Sequence, residues 1–529
     1  MSVTRRRFLK EGSLGLAGAS IASNALAMSR IPELPEAVNG EFNYGVASGD
    51  PTQSSVIIWS HFQPEESTDC DVLWTVSLNQ DMTNVVRSGA TTTGSDRDFT
   101  IKVDVDSLAA GTTYYFQFIC QGVLSPVGVT RTADSGELDS ARFAIVSCSS
   151  YPHGYFNVYR ALAERDDLHA VIHLGDYIYE YGQDEYGDDS LSAERALAPA
   201  HETVSLSDYR RRHALYKLDE DLQALHQKHP MIAIWDDHEF TDNAWQDGAS
   251  NHNDGEGDWQ ERKAVAKKAY FEWMPVREQN NESIYRRIQY GNLLDLIMLD
   301  TRVEGRGQQP EGSGKQQTAQ DENRSLLGFE QEAWLYDQLT TSTAQWKVLG
   351  QQVMMAQRYY LNLENLLGEG AAASFWLDSW DGYAANRDRL LDVIKEHNVE
   401  NMVVLTGDLH ASFAADISDD PYTWRNYNRY TGEGSLAVEF VCPSVTSPGF
   451  PSVIAGSAER TIMAGSPHIK YAELQTHGFV LLTVNRERTQ ADWYYVSDIT
   501  TRNSSTFCGV SYYACEQGMA RLKRVYQPA

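Results

Sequence analysis

At residues 170–182 the sequence reads AVIHLGDYIYEYG, an apolar run that ends in an acidic, tyrosine-rich segment. The apolar half has the bulk of a buried parallel strand, and Gly175 ends it. Asp176 therefore follows the carboxyl end of a strand, which in open α/β sheets is the edge where ligands bind. Asp176 and Tyr179 offer oxygen donors that one loop can turn towards a single cation. The alternative is an ordinary loop in which Asp176 caps the next helix.

The chain of 529 residues is long enough for about two to four domains with large cores. It has 73 acidic and 44 basic residues and a formal net charge of −29. Such a charge repels nucleic acid backbones and argues against a nucleic acid scaffold as partner. Beyond the N-terminal residues no apolar run reaches transmembrane length, so we expect no stable membrane anchor.

Residues 1–27 have the three parts of a twin-arginine signal peptide. TRRRFLK at residues 4–10 is followed by a weakly apolar segment at 13–23 and by the A-x-A cleavage pattern at 25–27. We therefore expect the twin-arginine export machinery as a partner and a periplasmic or secreted product. This route carries folded proteins, often because a cofactor is loaded inside the cell, so a metal is expected.

The predicted secondary structure divides the chain after this segment into three parts. Residues 42–134 contain short strand-like runs separated by turns, which predict an N-terminal β-sandwich domain of immunoglobulin or fibronectin type. Residues 141–500 alternate strands with helices, including predicted helices at 206–217 and 384–396, and form the predicted α/β catalytic domain. Residues 501–529 are predicted to be a C-terminal tail with a helix at 516–526.

Four predicted strands run into short polar clusters. The clusters contain Cys148; Asp176 with Tyr179; Asp237 with His238; and Asp408 with His410. Any one of them is weak evidence, because capping or salt-bridged residues are common at strand ends. Four clusters at the same edge of one sheet would converge on a single site rich in carboxylate, imidazole, thiolate and phenolate, which predicts a metal centre.

The motifs around these clusters resemble a known family. They are FNYGVASGDPT at 42–52, SCS at 147–149, GDYIYEYG at 175–182, WDDHE at 235–239, DSWDGY at 378–383, TGDLH at 406–410 and EFVCPS at 439–444. Together they resemble the PhoD-type alkaline phosphatase/phosphodiesterases of the metallophosphoesterase superfamily. The resemblance extends to about residue 485. It implies a two-sheet metallophosphoesterase-type α/β sandwich flanked by helices and preceded by the small all-β domain.

The resemblance also implies the cofactors Fe³⁺ and Ca²⁺ and their ligands. Thiolate, phenolate and imidazole suit iron, and carboxylates and amides suit calcium. The family pattern assigns Cys148, Asp176, Tyr179 and His410 to iron, with Asp176 bridging, and Asp237, Asp408 and Asn243 to calcium. Asp242 stands where the family usually has asparagine, which leaves open whether Asp242 or Asn243 completes the calcium shell.

The implied reaction is hydrolysis of phosphate esters for phosphate acquisition. A metal-bound hydroxide attacks phosphorus in line while the cations neutralise the phosphate oxygens. His238 is the expected catalytic acid that protonates the leaving alkoxide, and its alternative role is to orient a neighbouring carboxylate.

Several further residues have two interpretations. Asp378 and Asp381 are either a second calcium site or a turn that packs aromatic residues. Arg210, Arg211, Arg212 and Arg302 either bind phosphate or are paired and solvated. His173, inside the first strand, is interpreted as a core histidine. Two cysteine pairs, Cys70 with Cys120 and Cys508 with Cys515, are candidate disulfides.

Two other functions compete with the hydrolase. The first is a non-catalytic, calcium-holding envelope binding protein, which would have no use for His238 as a proton donor. The second is a two-transition-metal acid phosphatase. Cys148 argues against it, as does Asp408, which occupies a place that this enzyme class gives to histidine.

Overall fold

The computed structural model describes residues 40–66, 68–186, 191, 194–279, 283–311, 315–358, 361–362, 372–373, 376–515 and 520–529. The predicted signal peptide, residues 1–27, lies outside these ranges. In the described part of the chain, no helix combines the length and the apolar character needed to cross a bilayer.

The strands are, in chain order, β1 (Val46–Gly49), β2 (Val56–His61), β3 (Cys70–Ser77), β4 (Val85–Thr93), β5 (Thr100–Val105), β6 (Thr113–Cys120), β7 (Val123–Leu124), β8 (Gly128–Arg131), β9 (Ser140–Val146), β10 (Ala170–His173), β11 (Met231–Ala233), β12 (Arg286–Tyr290), β13 (Leu294–Met298), β14 (Trp346–Gln351), β15 (Leu361–Asn362), β16 (Ala372–Ala373), β17 (Met402–Thr406), β18 (Ser412–Ile417), β19 (Ala437–Val441), β20 (Ile469–Glu473), β21 (Gly478–Asn485), β22 (Arg488–Val496), β23 (Thr506–Cys515) and β24 (Leu522–Val525). The helices are α1 (Asn157–Ala163), α2 (Leu206–Lys217), α3 (Glu220–Lys228), α4 (Trp259–Trp273), α5 (Lys315–Ala319), α6 (Phe329–Thr341), α7 (Ala384–Glu396) and α8 (Ser452–Gly465), with 3-10 turns at Ser95–Arg97, Tyr151–His153 and Trp380–Tyr383.

Two large mixed sheets organise most of the chain. The ten-stranded sheet has the order β24-β23-β22-β21-β9-β10-β11-β1-β2-β5, and the seven-stranded sheet has the order β12-β13-β14-β17-β19-β18-β20. In the first sheet β9, β10, β11 and β1 are parallel, and in the second β13, β14, β17 and β19 are parallel. Each sheet therefore presents a row of strand carboxyl ends along one edge.

The two sheets pack face to face with helices outside. Along β17, Val403 and Leu405 belong to the core shared with the ten-stranded sheet, while Val404 packs in a second core with α6, α7 and α8. This alternation follows from the two-residue period of a strand and explains why the strand is apolar on both faces. Helices α1, α2 and α3 pack with the ten-stranded sheet, and their buried residues belong to the same hydrophobic cluster. The α/β sandwich flanked by helices agrees with the sequence prediction.

The N-terminal strands are divided between two sheets. Strands β1, β2 and β5 continue the ten-stranded sheet, with Gly49 paired to Met231 of β11. The remaining strands form a five-stranded sheet that packs against this extension around Phe116, Phe118 and Val72. The immunoglobulin or fibronectin-like domain is thus not confirmed. Strand runs and turns are local features, but the choice of the neighbouring strand is not.

The predicted C-terminal helix at residues 516–526 is wrong where the structure describes it. Residues Leu522–Val525 form β24, which pairs antiparallel with β23 at the edge of the ten-stranded sheet. The basic residues of this segment are typical of an edge strand, where charge discourages pairing with another chain. The predicted helices at 206–217 and 384–396, in contrast, have the predicted bounds.

The cysteine pairs stay predictions. Cys70 and Cys120 lie on the paired strands β3 and β6, and both are thiols. Cys508 is a thiol, and the side chain of Cys515 lies outside the described part of the chain.

Candidate metal centre

The predicted metal ligands gather where the strand ends of the two sheets meet. Cys148, Asp176 and Asp237 follow β9, β10 and β11 of the ten-stranded sheet, and Asp408 with His410 follows β17 of the seven-stranded sheet. The prediction of one shared sheet is therefore wrong. A bridge between Ser147 and Ser444 joins the end of β9 to the end of β19. This bridge brings the two rows of strand ends together.

Five of the predicted ligands have left-handed backbones. The φ angles are 60° at Cys148, 55° at Asp176, 54° at Asn243, 60° at Asp408 and 54° at His410. Residues other than glycine rarely adopt this conformation, and it persists only where the surrounding structure imposes it. The tight turns aim side chains from consecutive loops at a common point.

A buried glutamate ties two of these loops together. Glu239 accepts hydrogen bonds from the amides of Asp176 at 3.0 Å, Tyr177 at 2.5 Å and Asp236 at 2.7 Å. Gly175 allows these two loops to approach each other closely. A Cβ at this position would lie 2.3 Å from the Cβ of Asp236 and would clash with it. The loops after β10 and β11 are thus held as one unit.

One group of potential ligands combines thiol, carboxylate and imidazole. Ligand atoms of Cys148, Asp176 and His410 all lie within 4.8 Å of one another. Tyr179 Oη donates to Asp176 Oδ2 at 2.9 Å and lies 3.1 Å from His410 Nε2. His410 Nδ1 donates to the Pro448 carbonyl at 2.8 Å, which leaves Nε2 directed at the group.

A second side of the centre is rich in carboxylates. Ligand atoms lie within 4.8 Å of one another in two further groups, Asp176 with Asp237 and His238, and Asp236 with Asp237 and Asp408. Asp176 therefore belongs to groups on both sides. The amide of Asn243 donates to Asp237 Oδ2 at 2.6 Å, so Asn243 lies beside this side of the centre. Asp242 is also buried there, and its amide donates to Glu180 at 2.8 Å.

Several properties of the centre fit bound metal ions. The buried atoms Asp236 Oδ2 and His238 Nε2 have no hydrogen-bond partner among the described residues, an arrangement that is costly unless a ligand satisfies them. Burial and the charge of Asp176 raise the pKa of the Cys148 thiol and of the Tyr179 phenol well above their ordinary values. A thiolate and a phenolate in this place need a cation, and binding of one would release their protons.

His238 is fixed by contacts on two sides. Its Nδ1 lies 2.7 Å from Glu180 Oε2, and both side chains are completely buried. The ring of Tyr179 stacks on the imidazole with 4.3 Å between centroids. Burial alone would lower the pKa of His238, but the carboxylates of Glu180, Asp237 and Asp176 raise it well above its ordinary value. These carboxylates therefore favour the protonated form of the imidazole in the metal-free protein.

Glu180, which the sequence reasoning did not assign, is the residue that holds His238. Its Oε1 also accepts from Thr241 Oγ1 at 3.1 Å, the Asp242 amide at 2.8 Å and Asn251 Nδ2 at 3.2 Å. We expect Glu180→Gln to lower kcat about 10- to 100-fold, because the amide cannot stabilise the imidazolium or fix its orientation.

The test of Glu180→Gln is steady-state kinetics together with metal analysis. Metal content should stay at the wild-type value, since Glu180 belongs to none of the ligand groups. The matched control is Glu332→Gln, a buried glutamate paired with Arg389 outside the centre, which should keep full activity. An unchanged kcat in Glu180→Gln would show that the carboxylate has no role in positioning His238.

The other candidate residues have structural partners. His173 lies 3.0 Å from Tyr159 Oη and accepts from the Gly175 amide, so it is the core histidine that was predicted. Arg210 pairs with Glu272, and Arg212 donates to the carbonyls of Tyr181 and Pro199. None of these contacts leaves a guanidinium of Arg210 or Arg212 aimed at the centre.

The motif at residues 378–383 is engaged by arginines. Asp378 pairs with Arg302 and Arg306, and Asp381 pairs with Arg387 at 2.7 Å. These contacts favour the interpretation of residues 378–383 as a structural turn rather than as a second calcium site.

The sequence held a signal for Glu180 and Glu239, because both stand inside the quoted motifs. Ser447, which donates to Tyr179 Oη at 2.6 Å, has no such signal.

The buried carboxylate, imidazole and thiol groups at the strand ends could hold metal ions, and the relatives of the chain show that it is a phosphoric ester hydrolase. A family model described as PhoD-like phosphatase matches residues 143–493, and the model of its N-terminal domain matches residues 28–134. The protein belongs to this family. The resemblance predicted from the motifs is confirmed.

Two relatives cover nearly the whole chain. Alkaline phosphatase D of Bacillus subtilis (strain 168) is 33% identical over 545 residues, which cover 98% of this chain and 89% of that protein. A solved structure of PhoD is 32% identical, has a TM-score of 0.82 and covers 94% of both chains. A non-catalytic calcium-holding protein is therefore not favoured.

Proposed function

We propose that the protein is an exported alkaline phosphatase/phosphodiesterase that recovers phosphate by hydrolysing phosphate esters outside the cytoplasm. The observation that carries this proposal is the position of Asp176, which lies in ligand groups on both sides of the centre next to the buried His238. A carboxylate shared in this way is suited to bridging two cations. The twin-arginine pattern in residues 1–27 supports export to the periplasm or the medium.

The residues that would hold the metals follow from their chemistry. Cys148, Tyr179 and His410 suit Fe³⁺, Asp237, Asp408 and Asn243 suit Ca²⁺, and Asp176 would bridge the two. When bound, such ions supply positive charge to the phosphate oxygens and lower the pKa of the attacking water.

Protein side chains supply the proton for the leaving group and hold the metal ligands in position. His238 Nε2, the nitrogen that has no hydrogen-bond partner among the described residues, donates its proton to the leaving oxygen, and Glu180 keeps the imidazole charged and oriented until then. Ser447 and the Pro448 carbonyl hold the phenol of Tyr179 and the imidazole of His410 in place.

The proposal predicts metal-dependent hydrolysis of simple phosphate esters. Purified protein should hydrolyse bis-p-nitrophenyl phosphate and p-nitrophenyl phosphate at alkaline pH. A chelator should abolish both activities, and calcium with iron should restore them. Activity that survives complete removal of metals, verified by elemental analysis, would contradict the proposed function.

The proposed iron ligands predict colour. A phenolate or thiolate on ferric iron should give a visible charge-transfer band, which Tyr179→Phe should shift or weaken. Tyr181→Phe is the matched control, because Tyr181 is buried in the same aromatic cluster but is not hydrogen-bonded to Asp176. An active, colourless, iron-free protein would count against iron, and an unchanged spectrum in Tyr179→Phe would count against this ligand.

A further inference from the structure

Arg302 lies inside the acidic side of the centre. Its side chain is completely buried and follows β13 of the seven-stranded sheet. The guanidinium donates through Nε to Asp236 Oδ1 and through Nη2 to Asp408 Oδ1 at 2.8 Å, and Nη2 lies 3.4 Å from Asp237 Oδ1. These three aspartates are one of the groups with the spacing of metal ligands. One arginine thus contacts every member of that group.

Two further aspartates, Asp300 and Asp378, hold Arg302 in this position. The Arg302 amide donates to Asp300 Oδ1 at 2.7 Å, and Nη1 pairs with Asp378 Oδ2 at 2.8 Å. Asp378 is in turn paired with Arg306 and accepts from Gln309 Nε2 at 2.7 Å. Each of the three guanidinium nitrogens of Arg302 is thus engaged by a carboxylate. These contacts favour the interpretation of Arg302 as a paired arginine over its interpretation as a phosphate-binding residue.

We propose that Arg302 is a resident counter-cation that competes with calcium for the charge of Asp237 and Asp408. In the metal-free protein it compensates three buried carboxylates that would otherwise repel one another. Once a divalent cation binds, the two positive charges share the same carboxylates, so Arg302 weakens calcium binding. Arg302 is a positioning residue rather than a catalytic one, because it acts through the aspartates.

The contacts of Arg302 are confined to one side of the centre. Each of its carboxylate partners lies outside the Cys148, Asp176 and His410 group. Competition therefore lowers the affinity of the calcium side and spares the iron side. The calcium position becomes the exchangeable one, while the protein keeps its fold when that position is empty.

This inference rests on the proposed calcium site, and the test separates the two. Melting temperatures are measured for the chelator-treated full-length protein with and without added calcium chloride, and calcium affinity is measured by titration calorimetry. Arg302→Met should lower the metal-free melting temperature by about 5 °C or more. It should also enlarge the rise in melting temperature on calcium addition and tighten calcium binding at least about tenfold.

Arg302→Lys keeps the charge and should show the wild-type response to calcium. Arg195→Met is the matched control, because Arg195 and Asp219 form a buried pair at 2.8 Å outside the centre. It should lower the melting temperature equally with and without calcium. If Arg302→Met does not fold, the double variant Arg302→Met, Asp236→Asn removes the buried pair as a unit and should show the same enlarged response.

The outcomes are distinct. A calcium response in Arg302→Met that equals the wild-type response or falls below it would overturn the competition while leaving the proposed calcium site intact. A wild-type protein that does not respond to calcium would overturn the calcium site and the inference together. An enlarged response in the arginine variant and not in the control would support the inference.

Discussion

Asp176→Asn is expected to lower kcat/KM for phosphate esters by at least about a thousandfold, or about 4 kcal/mol of transition-state stabilisation. Asp176 belongs to ligand groups on both sides of the centre, so its loss disturbs both cation positions at once. An amide can occupy the same volume but cannot bring the negative charge that two adjacent cations need. The measurement is steady-state kinetics together with elemental analysis of the purified variant.

A matched control separates this effect from general destabilisation. Asp295 is a completely buried aspartate on β13 that accepts from Ser342 Oγ at 2.7 Å, outside the centre. Asp295→Asn should retain activity and metal content within about twofold. If Asp176→Asn kept more than about a tenth of the wild-type kcat/KM, Asp176 would not be the bridging ligand, and the arrangement proposed for the centre would fail.

His238→Gln is expected to have the second-largest effect, which should depend on the leaving group. General acid catalysis contributes about 10²- to 10⁴-fold when the leaving oxygen needs a proton. A loss in that range is expected with a glycerophosphodiester, whose leaving group is an alkoxide. With bis-p-nitrophenyl phosphate the loss should be about tenfold or less, because p-nitrophenolate leaves as a stable anion.

The control for His238→Gln is His169→Gln, because His169 accepts from the Arg142 amide at 3.1 Å and lies outside the ligand groups. It should affect neither substrate. An equal loss with both substrates, accompanied by loss of metal, would instead make His238 a metal ligand. Its Nε2 has no hydrogen-bond partner among the described residues, so this nitrogen would be the atom that coordinates the metal.

Features of the structure that depend on near neighbours in the chain agree with the predictions from the sequence. The segment at 170–182 contains a strand, a glycine turn and the acidic residue that follows, and all three are decided by residues a few positions apart. The same holds for Cys148 after β9 and for Asp408 and His410 after β17. Helix α2 has the bounds that the sequence predicts, and in the structure Ser205 and Asp208 form a capping box at its start.

Features that depend on a partner distant in sequence differ from the predictions or were not predicted. Glu180 stands inside the most informative motif, yet its role depends on His238, 58 residues away. The C-terminal segment has a composition compatible with a helix, but pairing with β23 makes it a strand. The strands β2 and β5 are predicted by the sequence, but β1 and the sheet that all three strands join are not.

The sequence by itself determined the family, the residue types of the centre and their places at strand ends, because period, turn and motif are local properties of the chain. Only the tertiary structure decided that the strand ends belong to two sheets joined at Ser147 and Ser444. It also placed the guanidinium of Arg302 among Asp236, Asp237 and Asp408. Electrostatic compensation acts through space, so the partner of a buried charge is known only once the chain is folded.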